Sequence, residues 1–216
     1  NDRPGILLSS AIDRYANLYG VACGEKNILF TNNDSAYETA ISLNQKGVNI
    51  EAIIDNREEV DSKLIKDIES NNIKVYKGYT VVDTNGYKRI NKVSIMKLSK
   101  DGQKVIGSKI SIKCDCLGIS GGWTPAVHLF TQSGGKLKFR EEDQVFIPNK
   151  YSSDQISIGS CNGEFTLDEI LSCVPKILKE FLNIKITDYE DLEVNSSFNK
   201  SKRNIWLLPS DKVIGK

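Results

Sequence analysis

The sequence predicts an α/β fold, a Rossmann-like parallel βαβ domain carrying an antiparallel β appendage. Two observations predict it. The stretch ILFTNNDSAYETAISLNQKGVNIEAIID, residues 28–55, runs from an apolar strand through a helical stretch to a second apolar strand, which is the outline of a βαβ unit of about 30 residues. After Gly78 the apolar period falls to two, and Asn85-Gly86 and Asp101-Gly102 mark hairpin turns.

Each element has its own signal. Residues 9–18 place Ala11, Ile12, Tyr15 and Leu18 at helical spacing, with Gly20 as the expected C-cap. A buried strand is expected at 27–31, a helix at 35–46 stopped by Gly47, and a second strand at 50–54. A helix follows at 61–71 with Leu64, Ile65 and Ile68 on one face, then a strand at 74–76. The alternating stretches 79–82, 89–98 and 109–112 form the antiparallel part. Residues 114–120 read as a short apolar strand entering Gly121-Gly122-Trp123, and 155–159 as another ending in glycine. The last helix is expected at 166–181, where Thr166 and Glu169 fit a capping box ahead of the Leu167, Ile170, Leu171, Val174, Ile177 stripe. The polar run 195–204 reads as a linker before Trp206, Leu207 and Leu208.

Composition bounds the function. Of 216 residues, 39% are hydrophobic and 26% charged, and 29 Lys+Arg nearly cancel 28 Asp+Glu, so no basic footprint for nucleic acid exists. No apolar run reaches the roughly 18 residues of a membrane span and no signal peptide opens the chain. A cytoplasmic protein is expected. The five cysteines are an odd number scattered through apolar segments, which favours buried reduced thiols over a disulfide framework. The chain opens on Asn rather than Met, which reads as a piece of a longer polypeptide.

The strand–turn–helix junction is where a dinucleotide would sit. Set against G-x-G-x-x-G, it has Thr31, Asn33 and Ala36 at the three glycine positions. Ala36 allows close helix–strand packing, whereas Asn33 tolerates left-handed geometry but adds bulk where the pyrophosphate lies. The helix N-terminus still offers amides and positive potential, so Asn32, Asn33 and Asp34 are candidate cofactor contacts. Asp55 ends the second strand, about where an acid holds ribose hydroxyls. The alternative is that Asp55 merely opens the turn DNRE and the scaffold binds nothing.

Three longer stretches carry a family resemblance. RPG…YGVACGEK…FTNNDSAY, CDCLGISGGWTPAVHLFTQSGGKLKF and IGSCNGEFTLDEIL resemble the alpha subunit of heterotetrameric sarcosine oxidase, across nearly the whole chain. The resemblance implies a middle fragment of a pyridine nucleotide-disulfide oxidoreductase-like region, and adds to the fold class the C-terminal part of a second nucleotide-binding domain. It implies a crossover helix and linker at 1–24, an inserted NAD-domain-like Rossmann domain at 25–113, a return segment at 114–183 completing the first dinucleotide-binding domain, and a linker toward a missing C-terminal domain at 184–216. It implies NAD in the intact subunit, FMN and FAD elsewhere in the complex, and beta, gamma and delta subunits as partners. The reaction implied is oxidation of sarcosine to glycine and formaldehyde, with this fragment alone inactive and without catalytic residues of its own. Gly121, Gly122, Trp123, Gly159 and Ser160 become candidate cofactor-lining residues. Related flavoproteins place an acid after the glycine at 159, and here Ser160 stands instead, which weakens an FAD assignment. Two other readings remain open: a subunit of another amine or amino-acid dehydrogenase, and a Rossmann interaction module that binds no nucleotide.

Other residues carry blander readings. His128 is the sole histidine, so no two-histidine metal site or proton relay can be assembled, and a hydrogen-bonded packing or interface histidine is expected. Cys114 and Cys116 share a strand face but have no further thiol pair or histidine nearby in sequence, so buried thiols are expected. Glu141-Glu142-Asp143 reads as a solvated turn, and Asp168 and Glu169 as a helix start.

Overall fold

The computed structural model describes residues 3–152, 154–182, 204–205 and 207–210. Two compact units divide the chain, residues 1–122 with 199–216 and residues 123–198.

The first unit opens with β1 (Ile6–Leu8), α1 (Ser9–Tyr19), β2 (Asn27–Thr31), α2 (Ser35–Gln45), β3 (Ile50–Asp55), α3 (Ser62–Ser70) and β4 (Lys74–Lys77). Three antiparallel strands follow, β5 (Tyr79–Asn85), β6 (Lys92–Leu98) and β7 (Val105–Lys113), and then β8 (Cys116–Ser120). β8 returns to the parallel sheet, whose order is β1-β8-β2-β3-β4, with Leu29 opposite both Gly118 and Ile53.

Alternation of side chains along the strands builds a core on each face of this sheet. Leu29 and Ile53 pack with Ile12 of α1, Tyr37, Ala40 and Leu43 of α2 and Ile68 of α3. Ile28, Phe30, Ile54 and Leu117 point the other way and pack with Ile90, Val93 and Ile95 of the antiparallel segment, and Leu208 joins that cluster. β2 is buried at every residue because it is covered on both faces. Glycine at 118 lets α1 lie on β8: a Cβ there would stand 2.5 Å from Leu29 Cδ2 and 2.9 Å from Ile12 Cδ1.

Local chemistry sets the helix ends. α1 stops at Gly20, left-handed at φ 62°, whose N–H donates to the Tyr15 carbonyl. α3 starts at Asp61, whose side chain accepts from the Lys63 N–H.

Two expectations change here. Residues 1–24 supply the expected helix, α1, but also a strand, β1, whose three residues are too few to show a period. The boundary expected between 113 and 114 falls inside one sheet, because β8 supplies the hydrogen-bonding neighbour between β1 and β2.

The second unit holds α4 (His128–Gln132), the antiparallel pair β9 (Lys136–Arg140) and β10 (Val145–Lys150), a 3₁₀ turn at Gly159–Asn162 and α5 (Leu167–Leu182). The hairpin was not expected from the sequence, because lysines and arginine interrupt KLKFR. Phe139 and Phe146, opposite one another with centroids 5.2 Å apart, hold it together. The strand expected at 155–159 does not form: residues 155–158 pair with no described strand, and Gly159, at φ 78°, opens the 3₁₀ turn. The capping box at α5 does form, with the Thr166 N–H donating to Glu169 Oε2 at 3.3 Å and the Glu169 N–H to Thr166 Oγ1 at 3.4 Å. His128 is exposed at the start of α4 rather than packed. Of the linker expected at 184–216, residues 184–203, Trp206 and residues 211–216 lie outside the described residues.

Candidate functional site

β2 and β8 lie side by side, yet β2 runs on into a helix on one face while β8 is reached from the antiparallel strands on the other. Their carboxyl ends are thus the point where the order of connections reverses, which is where open α/β sheets place ligands. Asn32, Asn33, Asp34, Asp55, Gly121 and Gly122 are brought to this edge of the first unit. Trp123, Gly159 and Ser160 belong to the second unit. There Trp123 is exposed, Ser160 is exposed, and Gly159 is buried against Ile170.

Side chains close the junction between the two strands. Asn32 Nδ2 donates to the Gly121 carbonyl at 3.1 Å. Asn33 Nδ2 donates to the Ser120 carbonyl at 3.2 Å and to Ser120 Oγ at 3.1 Å. Asn33 Oδ1 accepts from the Ser35 N–H at 3.1 Å and from Ser35 Oγ at 2.6 Å, and Ser35 Oγ stands 3.1 Å from Ser120 Oγ. Thr31 Oγ1 fixes the turn from below, accepting from the Asn33 N–H at 3.1 Å. Where a glycine-rich turn would leave backbone amides bare for a diphosphate, this turn takes up the Asn33 and Ser35 amides with its own side chains.

A buried ionic network lies beside it. Asp55 is 0% exposed and accepts from Tyr37 OH at 3.0 Å, from the Arg57 N–H at 2.8 Å, and from Arg57 Nη2 at 2.7 Å. Arg57, 5% exposed, also pairs with Asp34, Nη1 to Oδ1 at 2.7 Å. Burial works against the Arg57 charge, but the bonds to Asp55 and Asp34 outweigh it and hold its pKa above the ordinary value. Burial first, and the Asp55 charge second, push the Tyr37 phenol well above its usual range, so it stays a donor.

The fit of a dinucleotide follows from these contacts. A ribose diol needs free carboxylate oxygens, and those of Asp55 are buried and taken up by Arg57 and Tyr37. A diphosphate on the α2 turn would meet the Asn33 amide and the Asp34 carboxylate. The residues as arranged do not fit a dinucleotide, and the DNRE reading of Asp55 is the one the geometry matches. Among the described residues of this edge, Gly121 and Gly122 are exposed, a Cβ on Gly121 would meet nothing within 4 Å, and Gly122 has φ 99°.

Sequence reasoning did not single out Tyr37, Arg57, Ser35 or Ser120. Arg57 had a signal, since a basic residue two places past a buried strand-end acid can fold back on it. Elsewhere, burial and then the neighbouring Asp115 and Cys23 respectively push the Cys114 and Cys116 thiols up to about 12, and every cysteine is free. Among the described residues no group of His, Cys, Asp and Glu is placed to hold a metal ion.

Solved oxidoreductase structures share the fold. The flavoprotein disulfide reductase RclA of Escherichia coli superposes with a TM-score of 0.58 at 13% identity, over 84% of this chain and 40% of that one. L-proline dehydrogenase of P. horikoshii gives 0.53 at 20% identity, over 84% and 31%. No family model matches. In sequence the chain is similar to one stretch of sarcosine oxidase subunit alpha, as its motifs led one to expect. It is 33% identical over 174 residues to that of Corynebacterium sp. (strain P-1), covering 80% of this chain and 18% of the relative. It is 30% identical over 163 residues to that of Corynebacterium sp. (strain U-96), covering 76% and 17%. The chain therefore spans less than a fifth of the length of these relatives.

Proposed function

We propose that this chain is the scaffold portion of an oxidoreductase subunit like sarcosine oxidase alpha, in a complex that oxidises sarcosine to glycine and formaldehyde. In this reading the chain contributes a nucleotide-type sheet to the subunit's architecture, while substrate and flavin chemistry lie on other parts of the complex. FMN and FAD, and the beta, gamma and delta subunits as partners, come to the proposal from the resemblance, and a cytoplasmic setting from the reading of the sequence. The described helices add that none is long and apolar enough to cross a membrane.

One observation carries the scaffold role: the Asn32, Asn33, Ser35 and Ser120 side chains bond across the β2–β8 junction that a dinucleotide would need open. The second reading, that NAD binds here in the intact subunit, is favoured by the open Gly121-Gly122 edge.

Calorimetric titration of the chain with NAD⁺ separates the two. The scaffold reading expects no heat up to about 5 mM NAD⁺, a range that reaches even a very weak complex. Saturable binding that weakens in Asn32→Ala would reverse the assignment in favour of a working nucleotide site.

A further inference from the structure

Asp34 occupies the N-cap position of α2 but does not cap it: its side chain makes no bond to the first-turn amides, and Asn33 Oδ1 receives the Ser35 N–H instead. The carboxylate is turned to Arg57, with Oδ1 2.7 Å from Nη1. Asp34 is 5% exposed, and its Oδ2 is buried without a hydrogen-bond partner among the described residues. A buried carboxylate oxygen without a partner is costly, and it stands here at the positive end of an 11-residue helix beside a buried guanidinium.

We propose that Asp34 is a built-in anion plug, its carboxylate standing for the oxygens of a phosphate group between the α2 N-terminus and Arg57, so that neutralising it exposes a latent phosphate site. The charge balance explains the closure. Two carboxylates, Asp34 and Asp55, face one guanidinium, and the surplus negative charge repels a phosphate. With Asp34 neutral, Arg57 keeps Asp55 on Nε and Nη2 and turns Nη1 to the incoming anion, while the helix end supplies the remaining donors. The ligand class is a phosphate or diphosphate, free or as part of a nucleotide.

This rests on the reading that the turn of the wild-type chain is closed, and the experiment separates the two. Inorganic pyrophosphate is titrated into the 216-residue chain, into Asp34→Asn, and into the double variant Asp34→Asn/Arg57→Gln, with Asp34→Ser as a second neutral variant should Asn fail to fold by circular dichroism. The expected result is a Kd on the order of 1 mM for the neutral variants, at least about tenfold weaker binding by the wild-type chain, and loss of binding in the double variant. No binding by folded Asp34→Asn or Asp34→Ser overturns the plug and leaves the scaffold reading intact. Equal, Arg57-dependent binding by wild type and variant overturns both.

Discussion

Removing the Asp55 carboxylate distinguishes a structural acid from one kept for a ligand. An acid held ready for ribose hydroxyls contributes little to the unliganded fold, and its loss is cheap or stabilising. Asp55 is instead the acceptor for the Tyr37 hydroxyl, the Arg57 amide and the Arg57 guanidinium, at 3.0, 2.8 and 2.7 Å, and has no exposed surface. Asp55→Ala takes one partner from a buried ion pair, which costs about 3–5 kcal/mol, and leaves the Tyr37 hydroxyl without its acceptor. Tyr37→Phe deletes a donor while Arg57 still compensates the carboxylate, so its cost is nearer 1–2 kcal/mol. The double variant should be cheaper than the sum of the two by about 1 kcal/mol, because no hydroxyl is then left orphaned. Urea unfolding followed by circular dichroism, extrapolated linearly to water, gives all three values. A loss below about 1 kcal/mol for Asp55→Ala, well under the range for a broken buried pair, refutes the structural role and returns Asp55 to the ligand.

Three further outcomes follow from the geometry. Gly118→Ala should destabilise the chain by about 1–3 kcal/mol, because the new Cβ would lie 2.5 Å from Leu29 Cδ2 and 2.9 Å from Ile12 Cδ1, both of fully buried side chains; a wild-type urea midpoint contradicts the packing of α1 on β8. Asp115 pays for partial burial but accepts from the Glu25 and Lys26 amides at 3.0 and 2.8 Å and lies near Arg89, which together hold its pKa below the ordinary carboxylate value. A depressed folded pKa gives stability that is present above the unfolded value, about 4, and is lost as pH falls through the folded one, so the gap between wild type and Asp115→Asn should close on acidification below pH ~4. Cys114 and Cys116, with thiols pushed up to about 12 by burial, should resist iodoacetamide in the native chain at pH 8 and react only in denaturant, as peptide mass mapping would show.

What the sequence made legible were features whose signal is local and repeated. The βαβ unit from Ile28 to Asp55 shows itself through two apolar runs and a helix stop at Gly47, and the α5 start through Thr166 and Glu169. The features missed depend on pairing at a distance. β1 is recognisable only once β8 lies beside it, and β8 was assigned away from a sheet that needs it because 85 residues separate its first residue, Cys116, from Thr31 at the end of β2. The strand expected at 155–159 is likewise missing because residues 155–158 find no partner strand among the described residues, a matter of pairing that their own sequence does not show. At the site, Asn33 was recognised as an obstruction and Asp55 as a conspicuous acid, but the partner that decides the role of Asp55, Arg57, reveals itself only through the fold-back of its side chain.

Closure of the turn has a consequence for how such a domain is stabilised. A glycine-rich turn leaves helix amides to be satisfied by a bound diphosphate, and the domain then gains stability as ligand concentration rises. Here Asn33 satisfies the Ser35 amide, Ser120 ties the adjacent strand to it, and Arg57 fastens the next strand end to the α2 start through Asp34. Three elements, β2, β3 and β8, are thus held at their carboxyl ends by these side chains and by the Asn32 and Asn56 amides, which donate to the Ser120 and Thr31 carbonyls, a closure that requires no nucleotide. That independence is what the proposed scaffold role requires. Asp34, with Oδ2 unpartnered among the described residues at the centre of the closure, is the one charge whose removal tests whether an anion can take its place.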